Sequence, residues 1–279
     1  NMGVNLKGRS LLTLIDFSAA EIGYLLESAA QLKAESRRGK VRMYFQGKTL
    51  ALLFEKRSTR TRCAFETAFG ESGGHPVFLS TQDIQLGAKE SVEDTARVLG
   101  RMFSCIQYRG FEQKTVAALA EYSRVPVYNG LTDAFHPTQA LADLLTVQEA
   151  SGGLDGRKLC YCGDGRNNVA ASLIVACAKL GVHLTIAAPK ELKPDDGLLE
   201  RAKLWGAESG AEIRVESDPA IAVKSADVIY TDVWASMGEE SKAAQRKKLL
   251  TPYQVNSELM AAAGNPDVKF MHCLPAVKG

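Results

Sequence analysis

The feature that most constrains this chain is an alternation that runs along nearly its whole length: short apolar runs, then stretches of helical period. Candidate strands are Thr49–Phe54, Val77–Leu79, Cys105–Tyr108, Val125–Tyr128, Lys158–Cys162, His183–Ala187, Glu212–Val215, Val228–Thr231 and Val268–Met271. Helical stretches between them include Ala19–Arg37, Cys63–Glu71, Val92–Met102, Pro137–Glu149, Asn168–Leu180 and Leu198–Trp205. In the first of these, Leu25, Leu26, Ala29 and Leu32 form the stripe of an amphipathic helix. Strands separated by helices favour parallel sheets, because a parallel pair needs a long crossover. The fold expected is therefore α/β, in two domains, each a mostly parallel sheet with helices on both faces. The best boundary is Ser151-Gly152-Gly153-Leu154-Asp155-Gly156, three glycines in six residues, which divides the chain into 1–150 and 151–279.

Composition narrows the function. The 34 Lys and Arg against 32 Asp and Glu leave a net charge of +2, which gives no electrostatic case for nucleic acid or an anionic membrane. A hydrophobic content of 46% supports ordinary cores and excludes disorder. The longest apolar stretch, Val169 to Ala178, is far short of the roughly 20 residues that span a bilayer. Leu6 to Arg9 is too polar for a secretory signal. Cys63, Cys105, Cys160, Cys162, Cys177 and Cys273 form no C-x-x-C pair and no zinc-spaced cluster. The expectation is a soluble, cytoplasmic protein without metal or cofactor. Ser241 to Leu250, with Lys242, Arg246, Lys247 and Lys248, reads as a solvated surface.

Six segments carry chemistry, and each lies at or just past the carboxyl end of a predicted strand, the edge where open parallel sheets bind ligands. Phe54 to Arg62 contains Ser58-Thr59-Arg60-Thr61-Arg62 at a helix start. Free N–H groups, the positive end of the dipole and guanidinium forks suit a phosphate, although Ser58 as a simple cap explains part of the pattern. Gln107-Tyr108-Arg109-Gly110 places an arginine after a strand. His136-Pro137-Thr138-Gln139 opens a helix and offers a general acid or a hydrogen-bonding imidazole beside an amide. Cys162-Gly163-Asp164-Gly165-Arg166-Asn167-Asn168 superficially resembles a dinucleotide turn, but Asn168 replaces the third glycine and no acid follows the next strand. A turn exposing two carboxamides suits a small zwitterion instead. Tyr230 to Gly238 puts Asp232 at the mouth of a loop. In His272-Cys273-Leu274-Pro275, neighbouring side chains on extended backbone should point apart, which argues against a nucleophile–base dyad.

Together these motifs resemble the ornithine carbamoyltransferases of the aspartate/ornithine carbamoyltransferase family, along essentially the whole chain. The Ser-Thr-Arg-Thr-Arg and His-Pro-Thr-Gln motifs are similar to those of carbamoyltransferases in general. Asp232 with Ser236-Met237-Gly238, and His272-Cys273-Leu274-Pro275, resemble the ornithine branch. Aspartate enzymes would carry His-Pro-Leu-Pro at the last motif, and putrescine enzymes would lack Ser-Met-Gly.

The resemblance implies an amino-terminal carbamoyl phosphate domain and a carboxyl-terminal L-ornithine domain in a homotrimer with sites at subunit interfaces, open to larger assemblies. The reaction it implies is reversible carbamoyl transfer to the δ-amine of ornithine, giving citrulline and phosphate. By the same resemblance, Ser58, Thr59, Arg60 and Thr61 hold the phosphate, while Arg109, His136 and Gln139 hold the carbamoyl group. Gln85 serves a neighbouring subunit's site. Asn168, Asp232, Ser236 and Met237 contact ornithine, and Cys273 and Leu274 border both substrates. Arg109, His136, Asp232 and Cys273 would carry the catalysis. Family members usually continue past the position of Gly279, with another phosphate-binding arginine and a terminal helix. Two other readings stay open: a non-catalytic binding subunit, and a nucleotide-dependent oxidoreductase suggested by Gly163-Asp164-Gly165.

Overall fold

The computed structural model describes residues 3–84, 86, 90–235, 241 and 243–277. Contacts group the chain into two compact units, Asn1–Thr138 and Gln139–Gly279. Among the described residues no helix is long and apolar enough to cross a membrane.

The first unit holds β1 (Thr49–Phe54), β2 (His75–Ser80), β3 (Cys105–Arg109) and β4 (Val127–Leu131), with α1 (Ala19–Arg37), α2 (Thr59–Glu71), α3 (Val92–Met102) and α4 (Gln113–Ser123). The strands lie in the order β2-β1-β3-β4, every pair parallel. Alternation along β1 divides the core. Ala51 and Leu53 join Ala96, Leu99, Val116 and Leu119 of α3 and α4, whereas Leu50, Leu52 and Phe54 meet Phe69 of α2 on the other face. Both faces are covered, as a parallel sheet requires. On α1 the buried stripe is Ile22 and Leu26, not the run to Leu32, which is 46% exposed. The helix uses only its first turns for packing, and Ser18 and Glu21 close its start in a reciprocal capping box. β4 begins two residues later than expected, after Pro126, which has no N–H for a ladder. α4 starts at Gln113 without a side-chain cap from Glu112.

The second unit contains α5 (Pro137–Ser151, from Gln139 on), β5 (Lys158–Cys162), α6 (Asn168–Lys179), β6 (His183–Ala187), α7 (Asp196–Ser209), β7 (Ile213–Glu216), α8 (Pro219–Ala222), β8 (Val228–Thr231), α9 (Ala243–Leu250), α10 (Ser257–Ala262) and β9 (Lys269–His272). Its sheet order is β7-β6-β5-β8-β9, again parallel throughout. Residues Val169 to Lys179 of α6 are all buried, which explains why that helix reads as a continuous apolar run.

The basic stretch ending at Leu250 is not uniformly solvated. Arg246 is 7% exposed and forms an ion pair with Asp164 in the turn after β5, while Lys247 and Lys248 face outward. Lys242 lies outside the described residues. A helix presents one face inward whatever its overall charge, and Arg246 falls on that face with an acid opposite.

Candidate active site

In each sheet the strand order reverses once. In the first unit the chain places β2 on one side of β1 and β3 on the other. In the second, β6 and β8 flank β5 in the same way. Strands on either side of such a reversal send their following loops apart and leave a crevice at their carboxyl ends. At the first reversal Phe54 of β1 pairs with Arg109 of β3; at the second, Cys162 of β5 pairs with Thr231 of β8. Four of the six predicted segments thus each contain one of these four paired residues.

The first crevice gathers groups whose chemistry suits an anion. Ser58 leaves β1 in extended conformation (φ −163°, ψ 126°) and its Oγ accepts from Thr61 N–H at 3.2 Å, which starts α2. The cap and the phosphate motif are the same residues, so capping does not exclude binding: the N–H groups of the first turn still point outward. Thr59 and Arg60 are exposed there. Arg109 is 8% exposed, and its Nη1 donates to Thr61 Oγ1 at 3.0 Å and to Gly130 O at 3.4 Å. Gly130 lets the Gln107 amide approach the backbone: a Cβ there would lie 2.1 Å from Gln107 Nε2 and displace it. His136, 9% exposed, precedes α5. Burial, reinforced by the Arg109 guanidinium, lowers its pKa to about 3. The imidazole is therefore neutral at ordinary pH, which leaves hydrogen bonding and removes the general-acid option. Gln85 lies outside the described residues.

The second crevice gathers a carboxylate and a carboxamide, whose chemistry suits an amine. Asn167 caps α6 through Oδ1, which accepts from Val169 N–H at 2.7 Å, and its Nδ2 donates to Asp232 Oδ2 at 3.0 Å. The carboxamide that meets Asp232 is therefore Asn167, and Asn168 follows it as the first residue of the helix. Spacing alone does not tell a cap from the residue after it. Asp232, His272 and Cys273 each bring one donor atom to within 4.8 Å of the others. Their side chains do not point apart as expected, because extended backbone ends at His272 and Leu274 adopts φ +61°. Leu274 N–H donates to His272 Nδ1 at 2.8 Å, and the Leu274–Pro275 peptide is cis. Burial, with Asp232 beside it, pushes the Cys273 thiol far up, so it stays protonated and is no nucleophile. This nitrogen, sulfur and oxygen set is the one group among the described residues that could hold a metal ion. It is one donor short of a closed tetrahedral site. Ser236 and Met237 lie outside the described residues.

The glycine turn is explained by packing. A Cβ on Gly165 would stand 2.8 Å from both Leu192 O and Pro194 Cδ, so the glycine serves a close approach within the protein rather than a dinucleotide. Two buried residues that sequence did not single out as site residues are joined by a 2.9 Å hydrogen bond: Asp143 of α5 and Tyr230 of β8.

Two family models together cover almost the entire chain. The carbamoyl-P binding domain of aspartate/ornithine carbamoyltransferase matches residues 9–149, and the Asp/Orn binding domain matches residues 155–279. The chain belongs to the aspartate/ornithine carbamoyltransferase family. Within this family it is 62% identical over 278 residues to an ornithine carbamoyltransferase of Caldanaerobacter subterraneus, covering 100% of this chain and 89% of that one. It is 57% identical over 276 residues to a catabolic ornithine carbamoyltransferase of Bacillus licheniformis, covering 99% and 82%. Among solved structures, the ornithine carbamoyltransferase of Pyrococcus furiosus superposes with a TM-score of 0.96 at 49% identity, covering 99% of this chain and 88% of that one. The anabolic enzyme of Campylobacter jejuni gives 0.91 at 40%, covering 97% and 88%. For a carbamoyltransferase, an anion crevice in one unit and an amine crevice in the other are the two parts the chemistry demands.

Proposed function

We propose that this chain transfers the carbamoyl group of carbamoyl phosphate to the δ-amine of L-ornithine, giving L-citrulline and phosphate, in arginine metabolism. The observation that carries the reading is 62% identity to an ornithine carbamoyltransferase over the full chain. The two crevices supply the geometry behind it. Residues 1–150 serve carbamoyl phosphate and 151–279 serve ornithine. Ser58, Thr59, Arg60 and Thr61 take the phosphate dianion, with Arg60 as the guanidinium fork. Thr61, Arg109 and neutral His136 donate to the carbonyl oxygen, and Gln139 holds the carbamoyl amide. As the amine attacks, negative charge grows on that oxygen, and one preorganised donor is worth about 3–4 kcal/mol there.

An ornithine δ-amine is lysine-like, with a pKa of about 10.4 in water, so it arrives as a cation. Asp232 attracts that cation, and Asn167 holds the carboxylate in place. Attack needs the neutral amine, so a proton must leave. The protonated thiol of Cys273 cannot take it, and the departing phosphate is the fitting acceptor. Asn168, Ser236, Met237 and Leu274 complete the ornithine contacts. The reaction runs in both directions through the same groups. All six cysteines are free, which supports a cytoplasmic enzyme. Assembly as a homotrimer, with Gln85 serving a neighbour's site, completes the reading.

Citrulline formation from carbamoyl phosphate, measured in parallel with ornithine, putrescine, acetylornithine and aspartate, tests the assignment. Ornithine should win clearly; preference for any other amine rejects it. Sedimentation equilibrium reports the trimer.

A further inference from the structure

Gln139 and Asp143 stand four residues apart on α5 and so share one face of the helix. Asp143 is 4% exposed, and each of its carboxyl oxygens accepts one hydrogen bond. Gln139 Nε2 donates to Oδ1 at 2.8 Å, and the fully buried Tyr230 hydroxyl donates to Oδ2 at 2.9 Å. An amide has one donating and one accepting end, whereas an ionised carboxylate only accepts. Asp143 therefore captures the Gln139 amino group and leaves Oε1 as the end that can serve a ligand. A carbamoyl NH₂ is a donor and needs that acceptor; a reversed amide would set NH₂ against NH₂.

We propose that Asp143 is a positioning residue that decides which end of the Gln139 amide is presented to carbamoyl phosphate, with Tyr230 holding Asp143 in turn. The inference rests on the reading of Gln139 as a carbamoyl contact. It also gives the site a proton-sensitive element. The groups facing Asp143 are Gln139 on its own helix, Tyr230 and Asp232 at the end of β8, Cys177 of α6 and Cys273 beyond β9. Burial, helped by Asp232, raises the Asp143 carboxyl to about 7 against the pull of its two donors. Once protonated, it donates as well as accepts, and the Gln139 amide is no longer held one way round. Carbamoyl phosphate affinity then falls as pH drops through neutrality.

The test uses the intact protein, with the Kd for carbamoyl phosphate measured by calorimetry between about pH 5.5 and 8.5, bracketing neutrality. Asp143→Leu removes the acceptor and should weaken binding about tenfold at the upper pH, equivalent to about 1.4 kcal/mol. Gln139→Ala with Asp143→Leu should bind no worse than Gln139→Ala alone, since one residue acts through the other. Asp143→Asn can still accept from Gln139 while its own amide donates to the Tyr230 oxygen. It should keep the affinity and lose the decline near neutrality, an outcome a purely structural role would not give. Wild-type affinity in Asp143→Leu, or additive losses in the double variant, overturns the inference. If Asp143→Leu does not fold, an unaltered pH profile in Asp143→Asn overturns it. Normal binding by Gln139→Ala would remove the Gln139 reading and this inference together. A defective Gln139→Ala beside a silent Asp143→Leu removes the inference alone.

Discussion

Arg109 Nη1 sits 3.0 Å from Thr61 Oγ1, tying the carboxyl end of β3 to the first turn of α2. The two residues are 48 apart in sequence, yet the bond joins the group proposed to neutralise an oxyanion to the helix start proposed to receive a phosphate. It holds a buried guanidinium in one orientation before any substrate arrives, and such preorganisation is what lowers a barrier.

Arg109→Lys keeps the charge but loses the fork. Steady-state turnover should fall about 100-fold, the loss expected for one oxyanion donor. Circular dichroism should be unchanged.

Arg60 is exposed, and the role proposed for it calls on a bound ligand. Arg60→Ala should weaken carbamoyl phosphate binding by about 10- to 100-fold, the worth of a charge-assisted bond. Thermal unfolding should match the wild type, and near-normal affinity would contradict the phosphate assignment.

Asp232→Asn should separate the two substrates. Losing the carboxylate removes the attraction for the δ-ammonium, so the KM for ornithine rises while carbamoyl phosphate binding by calorimetry stays near normal. Equal losses for both ligands would count against the amine crevice.

His136 links the site to stability. Burial and Arg109 hold its folded-state pKa at about 3, against 6.5 for an ordinary imidazole. Below the higher value the unfolded chain takes up a proton that the folded state refuses, so the stability this site contributes is present above 6.5 and lost as pH falls toward 3. Urea unfolding should show a smaller loss between pH 7 and 5 in His136→Asn than in the wild type.

Arg246 and Asp164 form a nearly buried pair, with side chains 8% and 11% exposed. Arg246→Ala leaves Asp164 with only the half-exposed Arg166 as a cation, at 3.3 Å, and should cost about 2 kcal/mol by urea denaturation. A change under about 0.5 kcal/mol, typical of surface sites, would restore the solvated-face reading.

The sequence by itself determined the elements and their class. Thr49–Phe54, Lys158–Cys162, His183–Ala187 and Val228–Thr231 are strands at the expected residues, because a strand buried on both faces must be apolar without interruption. The motifs at strand ends were legible for a related reason: Ser58 and Pro137 advertise helix starts through their own backbone chemistry. Tertiary structure decided which ends become neighbours. That Phe54 lies beside Arg109, and Cys162 beside Thr231, follows from strand order, and local preference does not encode strand order. The same limit made Arg246 an inward-facing partner and concealed both the Asn167–Asp232 bond and Asp143, which on sequence is one more acid on an amphipathic helix. Its role depends on a tyrosine 87 residues away. A side chain's type is local information, whereas the partner that gives it a charge state and an orientation is supplied only by the folded chain.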